Sequence, residues 1–411
     1  IIINLQRRYT DPASIPSEEK LDLEISYNKS AIFNDIKNVY GVLSIFLLIF
    51  ALIEVMASVT DKGLWSVIPK HVLVMLFSLY LISKLIGLLI TINGVWIYVL
   101  TVIVGVASFL ILEKIIPNKK NTLKRVITFL LNIGVGIFAL TFLYHTYGLA
   151  IRWYLTGHAP WSNGYEALIF ISWGTCLAGL IFAKYSKLTT AGTAFVAFLI
   201  IMTAGHENMD PQLTNLVPVL KSYWLIIHVA CMTSSYGFFG LGAILGFIVL
   251  FMMLFKTKSN GKQMNLSING LTYINEMIVT IGLILAAIGT FLGGVWANES
   301  WGRYWGWDAK ETWALIIVLA YAMQLHFRFV PGFVKSKFFF NAWGSFVGFG
   351  VVCMTYFGVN YYFSNSIHSY AAGDPPGFPI WIWQLIGGVL FLVVLAGWRD
   401  RTVDKAIYKK K

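Results

Sequence analysis

Charged side chains are scarce in this sequence: Asp, Glu, Lys and Arg make up 12% of its 411 residues, 57% are hydrophobic, and mean hydropathy is +0.71. That shortage excludes a water-soluble globule, which needs more polar surface than this chain has. Strict polar–apolar alternation is also missing, and with it the signature of a membrane β-barrel. The apolar runs are long and continuous, and in hydrocarbon only helices or closed barrels satisfy the backbone. The expectation is an all-α, polytopic transmembrane helical bundle embedded in the lipid bilayer. Cysteine is nearly absent. Cys176, Cys231 and Cys353 fall inside apolar runs with no CxxC pair or metal-ligand spacing, so they read as packing residues, and thiol chemistry must come from a partner. Acidic residues are outnumbered 19 to 31 by Lys and Arg, for a net charge of +12. The basic excess sits in short clusters between apolar runs, as membrane topology requires, and nucleic acid is excluded as a partner.

The chain opens at Ile1 without an initiator methionine, and residues 1–38 are mixed and polar with no signal-peptide pattern. This stretch is expected to face outward as the end of a larger extracytoplasmic region. Eleven spans are read at 39–58, 72–92, 95–113, 126–144, 165–183, 189–204, 222–255, 275–295, 313–330, 341–362 and 378–397. The seventh exceeds the roughly 20 residues a bilayer needs, so one end should project. Basic clusters occur in every second connection: Lys114, Lys119, Lys120, Lys124 and Arg125; Lys184 and Lys187; Lys256, Lys258 and Lys262; Arg328, Lys335 and Lys337; and the terminal Lys409, Lys410 and Lys411. These ends are assigned to the cytoplasm and the C-terminus with them, which puts residues 1–38 outside after an odd number of spans.

The outer connection between spans eight and nine runs from Val295 to Trp313 and holds Trp296, Trp301, Trp305, Trp307 and Trp313. An interfacial aromatic belt accounts for one or two tryptophans, not five. Indole faces stack well on a planar conjugated ring, and Gly302 and Gly306 would let backbone approach it. Arg303 and Lys310 are placed to pair with carboxylates on the edge of such a ring. Asp308 and Glu311 also read as the acids that favour a helix N-terminus.

The topology sorts the seven histidines. His228 lies near the outer end of span seven and His368 just beyond the outer end of span ten, so both reach the tryptophan side. Two neutral imidazoles on opposite faces of a ring would ligate haem iron axially. His326 lies late in span nine near the inner face. The 18 positions between Asp308 and His326 correspond to about 27 Å of helix, so it belongs to a second, inner site. His71, at the inner start of span two, reads either as an interfacial histidine beside Lys70 or as the partner of His326. His145, His158 and His206 are placed on the outer side without a role.

Trp301-Gly-Arg-Tyr-Trp-Gly-Trp-Asp-Ala-Lys-Glu-Thr-Trp313 followed by Tyr321-Ala-Met-Gln-Leu-His-Phe-Arg328 resembles the WWD-domain haem-handling proteins of the CcsA/CcsBA type. Leu216–His228, Tyr356–Tyr370 and Arg152–Glu166 agree with the same family, and the likeness covers about 126–400. Ala309 stands where that family often has proline. Residues 39–113, with three accessory spans, and the stretch before them resemble the connecting part of a fused CcsB–CcsA protein.

The resemblance implies His228 and His368 as outer haem ligands, with Trp296, Trp301, Trp305, Trp307, Arg303 and Asp308 around the ring. It implies His326 as one of two transmembrane ligands, the other being His71 or a residue of a CcsB-like part, fused or separate. It further implies a cytochrome c synthase with its active site on the outer, periplasmic side of the membrane, for which the bacterial cytoplasmic membrane is taken as the default location. That enzyme carries ferrous haem b across the membrane to the CxxCH motif of apocytochrome c and depends on a thioredoxin-like thiol reductant. No side chain of this chain is expected to act as a nucleophile, because the acceptor brings its own thiols. Haem delivery to a chaperone without ligation and a non-haem membrane transporter are the competing readings.

Overall fold

A computed structural model describes residues 16–59, 119–160, 163–205, 211–213, 222–330, 337–363 and 380–408. Among these there is no β-strand, and nine helices are long and apolar enough to cross a membrane. They coincide with nine of the eleven expected spans. The spans at 72–92 and 95–113 lie outside the described residues, as do His71, His206 and His368.

The helices follow in order: α1 Glu18–Ser30, α2 Ile32–Val59, α3 Lys119–Thr156, α4 Gly164–Phe182, α5 Lys187–Ala204, α6 Tyr223–Leu254, α7 Gly261–Trp301 and α8 Ala309–His326. The ninth, α9 over 337–362, alternates α-helical segments with two π-helical turns, Gly344–Gly348 and Met354–Gly358. The last is α10, Ile380–Tyr408. Ser17 caps α1 by accepting from the Lys20 N–H at 3.2 Å, so part of the polar opening is helical.

Helix α6 is the shared wall. Helices α2 to α5 pack on one another and on α6 around Tyr40, Phe138, Ile169 and Ala194, while α7, α8 and α9 pack against α6 around Phe239, Val279, Ile317 and Tyr321. Lipid tails are as apolar as the helices, so association must come from close packing and polar contacts. The α4–α5 contact shows the first: a Cβ on Gly179 would lie 2.5 Å from the Thr193 hydroxyl.

The α6–α7–α9 seam shows the second. Asn275 donates to the Asn341 side-chain amide oxygen at 3.1 Å, Asn341 donates to the Thr272 hydroxyl at 3.0 Å, and the Ser345 hydroxyl reaches the Ala243 backbone carbonyl at 3.2 Å. Beside the first π turn, the Gln324 amide donates to the Phe340 carbonyl at 3.0 Å and the Trp343 indole donates to the Ala320 carbonyl at 3.0 Å. Side chains competing for helix carbonyls are a known cause of such irregular turns. They also lock α8 to α9.

From α2 onward the helices alternate in direction, as the pairs Arg152–Glu166, Gly179–Thr193, His228–Gly289 and Trp313–Thr355 show, so α3, α5, α7 and α9 end, and α4, α6, α8 and α10 begin, at one end of the bundle. The tryptophan turn is at that end. Lys184, Lys187, Lys256, Lys258, Lys262, Arg328 and Lys337 gather at the opposite, basic end. Lys256 is wholly buried there between Asp400 and Asp404, at 2.6 Å from each, and so fastens α10 to the α6–α7 corner. At 41 residues, α7 extends about 60 Å, twice the hydrocarbon thickness of about 30 Å. It starts 14 residues before the expected span and runs six residues past its end.

Candidate functional site

The tryptophan connection is much shorter than the 295–313 read from the sequence. Helix α7 continues to Trp301 and is stopped by Gly302 at φ +71°, whose N–H donates to the Asn298 carbonyl at 2.9 Å. Helix α8 starts at Ala309, so only residues 302–308 form a turn and Trp313 is helical. The sequence reading broke the helix where apolar residues thinned out, but amphipathic ends outside hydrocarbon remain helical.

Asp308 is the N-cap of α8 in a capping box with Glu311 and accepts from the Lys310 N–H at 3.2 Å. Glu311 organises the turn. Its Oε2 accepts from the N–H groups of Gly306 at 2.7 Å and Asp308 at 3.3 Å, and its Oε1 lies 3.7 Å from Arg303 Nη1. The Arg303 guanidinium stands over Trp301, 5.9 Å from the ring, and a Cβ at Gly306 would overlap it. This arginine, expected on a ring carboxylate, is folded back across its own turn. The D-x-x-E spacing at the start of an apolar run was the signal that marked Glu311 as structural.

Four of the five tryptophans form two pairs. Trp296 is 3% exposed and meets Trp301 edge-on at 4.7 Å, inside the helix packing. Trp307 is 71% exposed and stands perpendicular to Trp305 at 5.9 Å. Trp307 also has φ +57°, a left-handed conformation that costs a bulky residue about 1–3 kcal/mol. A strained, outward indole is the kind of feature that marks a ligand-facing position.

His228, on the second turn of α6, is held by one face of α7. Its Nδ1 lies 2.6 Å from the Gly289 carbonyl, its ring is nearly parallel (9°) to Trp296 at 6.4 Å, and a Cβ on Gly293 would come within 2.7 Å of it. Residues 289, 293 and 296 recur at helical spacing. A carbonyl only accepts, so Nδ1 carries the proton and the lone pair is on Nε2, the arrangement that neutral metal-ligating imidazoles use. Sequence reasoning chose His228 but missed the glycines behind it; the Gly293-Gly294 pair just before the tryptophans was the available sign of a close approach. At the same end the Ser222 hydroxyl, at the start of α6, bonds the Glu299 carboxylate on α7.

His326 ends α8 at the basic end and is exposed. Its Nδ1 lies 2.7 Å from the Ala322 carbonyl, which again leaves the lone pair on Nε2. His228 and His326 are therefore at opposite ends of the bundle, as expected, and share no site. His145 differs from its expected outer placement: it is 0% exposed on α3, 11 residues short of the helix end, with Nε2 3.1 Å from the Ile169 carbonyl. The expected boundary of that span at 144 fell too early, because α3 continues to Thr156.

A third cluster ties the tryptophan end together. Buried Arg152 donates through Nε to Glu166 at 2.7 Å and through its two terminal nitrogens to the Pro211 and Gln212 carbonyls at 2.9 and 2.8 Å. The ring of Tyr165 lies 5.2 Å from the guanidinium. One side chain thus joins α3, α4 and the connection leading to α6.

The architecture defines a multi-pass, all-helical membrane protein with an aromatic turn and a pinned histidine at one end. Residues 161–367 match the family described as cytochrome C assembly protein, and the chain belongs to that family. Similar proteins include Protein NrfI of Wolinella succinogenes, 46% identical over 243 residues covering 59% of this chain and 26% of that protein. The cytochrome c biogenesis protein CcsA of Chlamydomonas reinhardtii is 37% identical over 230 residues, 54% of this chain and 64% of its own length. CcsA of Mesostigma viride is 34% identical over 255 residues, 54% of this chain and 80% of its own length. The match thus spans about a quarter of NrfI and under two thirds of the Chlamydomonas protein.

Proposed function

We propose that this chain acts in cytochrome c biogenesis by carrying haem through the membrane and presenting it at the tryptophan end for attachment to the CxxCH motif of apocytochrome c. In this reading the tryptophan end faces the periplasm of a bacterial cytoplasmic membrane and the basic end faces the cytoplasm, as the positive-inside distribution favours. The observation that carries the reading is His228. Its tautomer is set by the Gly289 carbonyl, its ring is backed by Gly293 and Trp296, and the exposed Trp307 with the half-buried Trp305 lies in the turn that closes the same helix end.

Haem is the substrate, and the residues present fit it: a neutral imidazole, His228, in the tautomer that metal-ligating histidines use, and the exposed indole of Trp307 for an apolar macrocycle. His228 and His368 are assigned as the outer ligands, His326 as an inner one, with His71 or a CcsB-like part supplying the fourth. The reaction itself adds each cysteine S–H across a vinyl group, sulfur to one carbon and hydrogen to the other, and needs no nucleophile from this chain. What the chain supplies is position, which converts an encounter between two large molecules into a local event. Residues 39–113 are taken as accessory spans, 126–400 as the haem-handling core, and a thioredoxin-like reductant keeps the acceptor thiols reduced.

The test is co-expression with an apocytochrome c acceptor in cells lacking their own assembly system, with and without a CcsB-like part. Holocytochrome that disappears in the His228→Ala variant supports synthase function; unchanged holocytochrome contradicts it.

A further inference from the structure

The residues around His326 define more than a lone imidazole. The exposed Phe329 ring neighbours two groups: its centroid is 5.8 Å from that of His326 and 5.8 Å from the Arg328 guanidinium carbon. Arg328 is in turn paired with Glu276 on α7, while Lys337, at the start of α9, stands 4.5 Å over the ring of Tyr273, one helical turn from Glu276. The basic end therefore shows, close together, a nitrogen lone pair on His326, an exposed aromatic ring and a guanidinium.

These three groups match the parts of an iron porphyrin with acidic side chains: metal, apolar ring, carboxylate. We propose that Arg328 and Phe329 are specificity-determining residues of the inner haem site. Arg328 recognises a haem propionate, and Glu276 is a stand-in carboxylate that occupies it until the propionate arrives. The proposal rests on the reading of His326 as an inner haem ligand.

Two physical points favour a latch over a structural bridge. The Arg328 side chain is 59% exposed, though that of Glu276 is only 19% exposed, and an ion pair open to solvent on one side contributes modestly to stability, so the guanidinium can exchange one carboxylate for another. Arginine also presents a planar fork that accepts a carboxylate through two parallel hydrogen bonds, which a lysine does not. Glu276 and Tyr273 hold Arg328 and Lys337 on the α7 side.

The experiment is a haem titration of the full chain in nanodiscs, in a His228→Ala background, read by absorption, with haem and with its dimethyl ester as paired probes. Arg328→Ala is expected to weaken haem binding about ten-fold and to leave dimethyl ester binding unchanged. Arg328→Lys should fall in between, and Glu276→Gln should tighten haem binding by about two- to five-fold. Equal effects of Arg328→Ala on both probes, or none on either, overturn the proposal. An effect confined to discs of anionic phosphatidylglycerol and lost in phosphatidylcholine also overturns it, because Arg328 would then serve a lipid headgroup. His326→Ala separates the two levels. If it leaves both titrations unchanged, the inner site itself fails; if it abolishes binding while Arg328→Ala does nothing, only the propionate assignment fails.

Discussion

Replacing Gly293 by alanine should disable the outer site without unfolding the bundle. A Cβ at this position would stand 2.7 Å from both Cε1 and Nδ1 of His228, whereas relaxed carbon contacts are about 3.5–4.0 Å. The imidazole must retreat by about 1 Å to restore that spacing. It cannot do so and keep the 2.6 Å hydrogen bond to the Gly289 carbonyl along with its parallel stack on Trp296. The lost hydrogen bond costs about 0.5–1.5 kcal/mol and the added methyl about 1–3 kcal/mol of overpacking. Disturbing the group that orients a metal-ligating histidine typically lowers metal affinity about 10- to 100-fold.

Haem retained by the detergent-purified variant, measured by its reduced absorption bands, should fall accordingly while protein yield holds. Gly270→Ala is the control: it lies on the same helix, and a Cβ there meets nothing within 4 Å. Equal haem content and band positions in the two variants would refute the claim that α7 sets the geometry of His228.

Trp307→Gly relieves the left-handed backbone at φ +57°, so thermal stability should be unchanged or higher by about 1 kcal/mol while haem retention falls; a variant that retains haem normally argues against an outward platform. Arg152→Ala leaves Glu166 buried without its cation and should cost about 3–5 kcal/mol, seen as a lower midpoint in detergent thermal scans; an unchanged midpoint contradicts the clamp. Glu311→Gln removes the charge that gathers the Gly306 and Asp308 N–H groups and Arg303. It should loosen the turn, with faster hydrogen exchange at 303–308 as the reading and unaltered exchange as the refutation. His326→Ala should lower the haem content of the membrane protein, and unaltered content counts against an inner site.

Hydropathy made the spans legible, because the bilayer forces each crossing to be a long apolar helix. It could not locate helix ends: α7 extends well beyond hydrocarbon at both ends, where polar residues such as Lys262 and Glu299 give no apolar signal. The π turns of α9 were illegible: at the first, Gln324 of α8 donates to the Phe340 carbonyl and Trp343 donates back to the Ala320 carbonyl of α8, contacts between helices that the local sequence does not show. At the site, the residue types were readable and the roles were not. Five tryptophans in one stretch marked a special place, yet only packing shows that Trp296 backs a histidine while Trp307 faces outward. Asp308 was readable as a cap because its partner Glu311 lies three residues on, a purely local pattern.

The most direct test of the central claim is the visible spectrum of the detergent-purified protein, as isolated and after dithionite, beside His228→Ala and His368→Ala. The account predicts sharp reduced bands of a bis-histidine haem in the wild type, lost or shifted in both variants. A wild type that stays colourless after haem feeding, or bands untouched by either substitution, would contradict it.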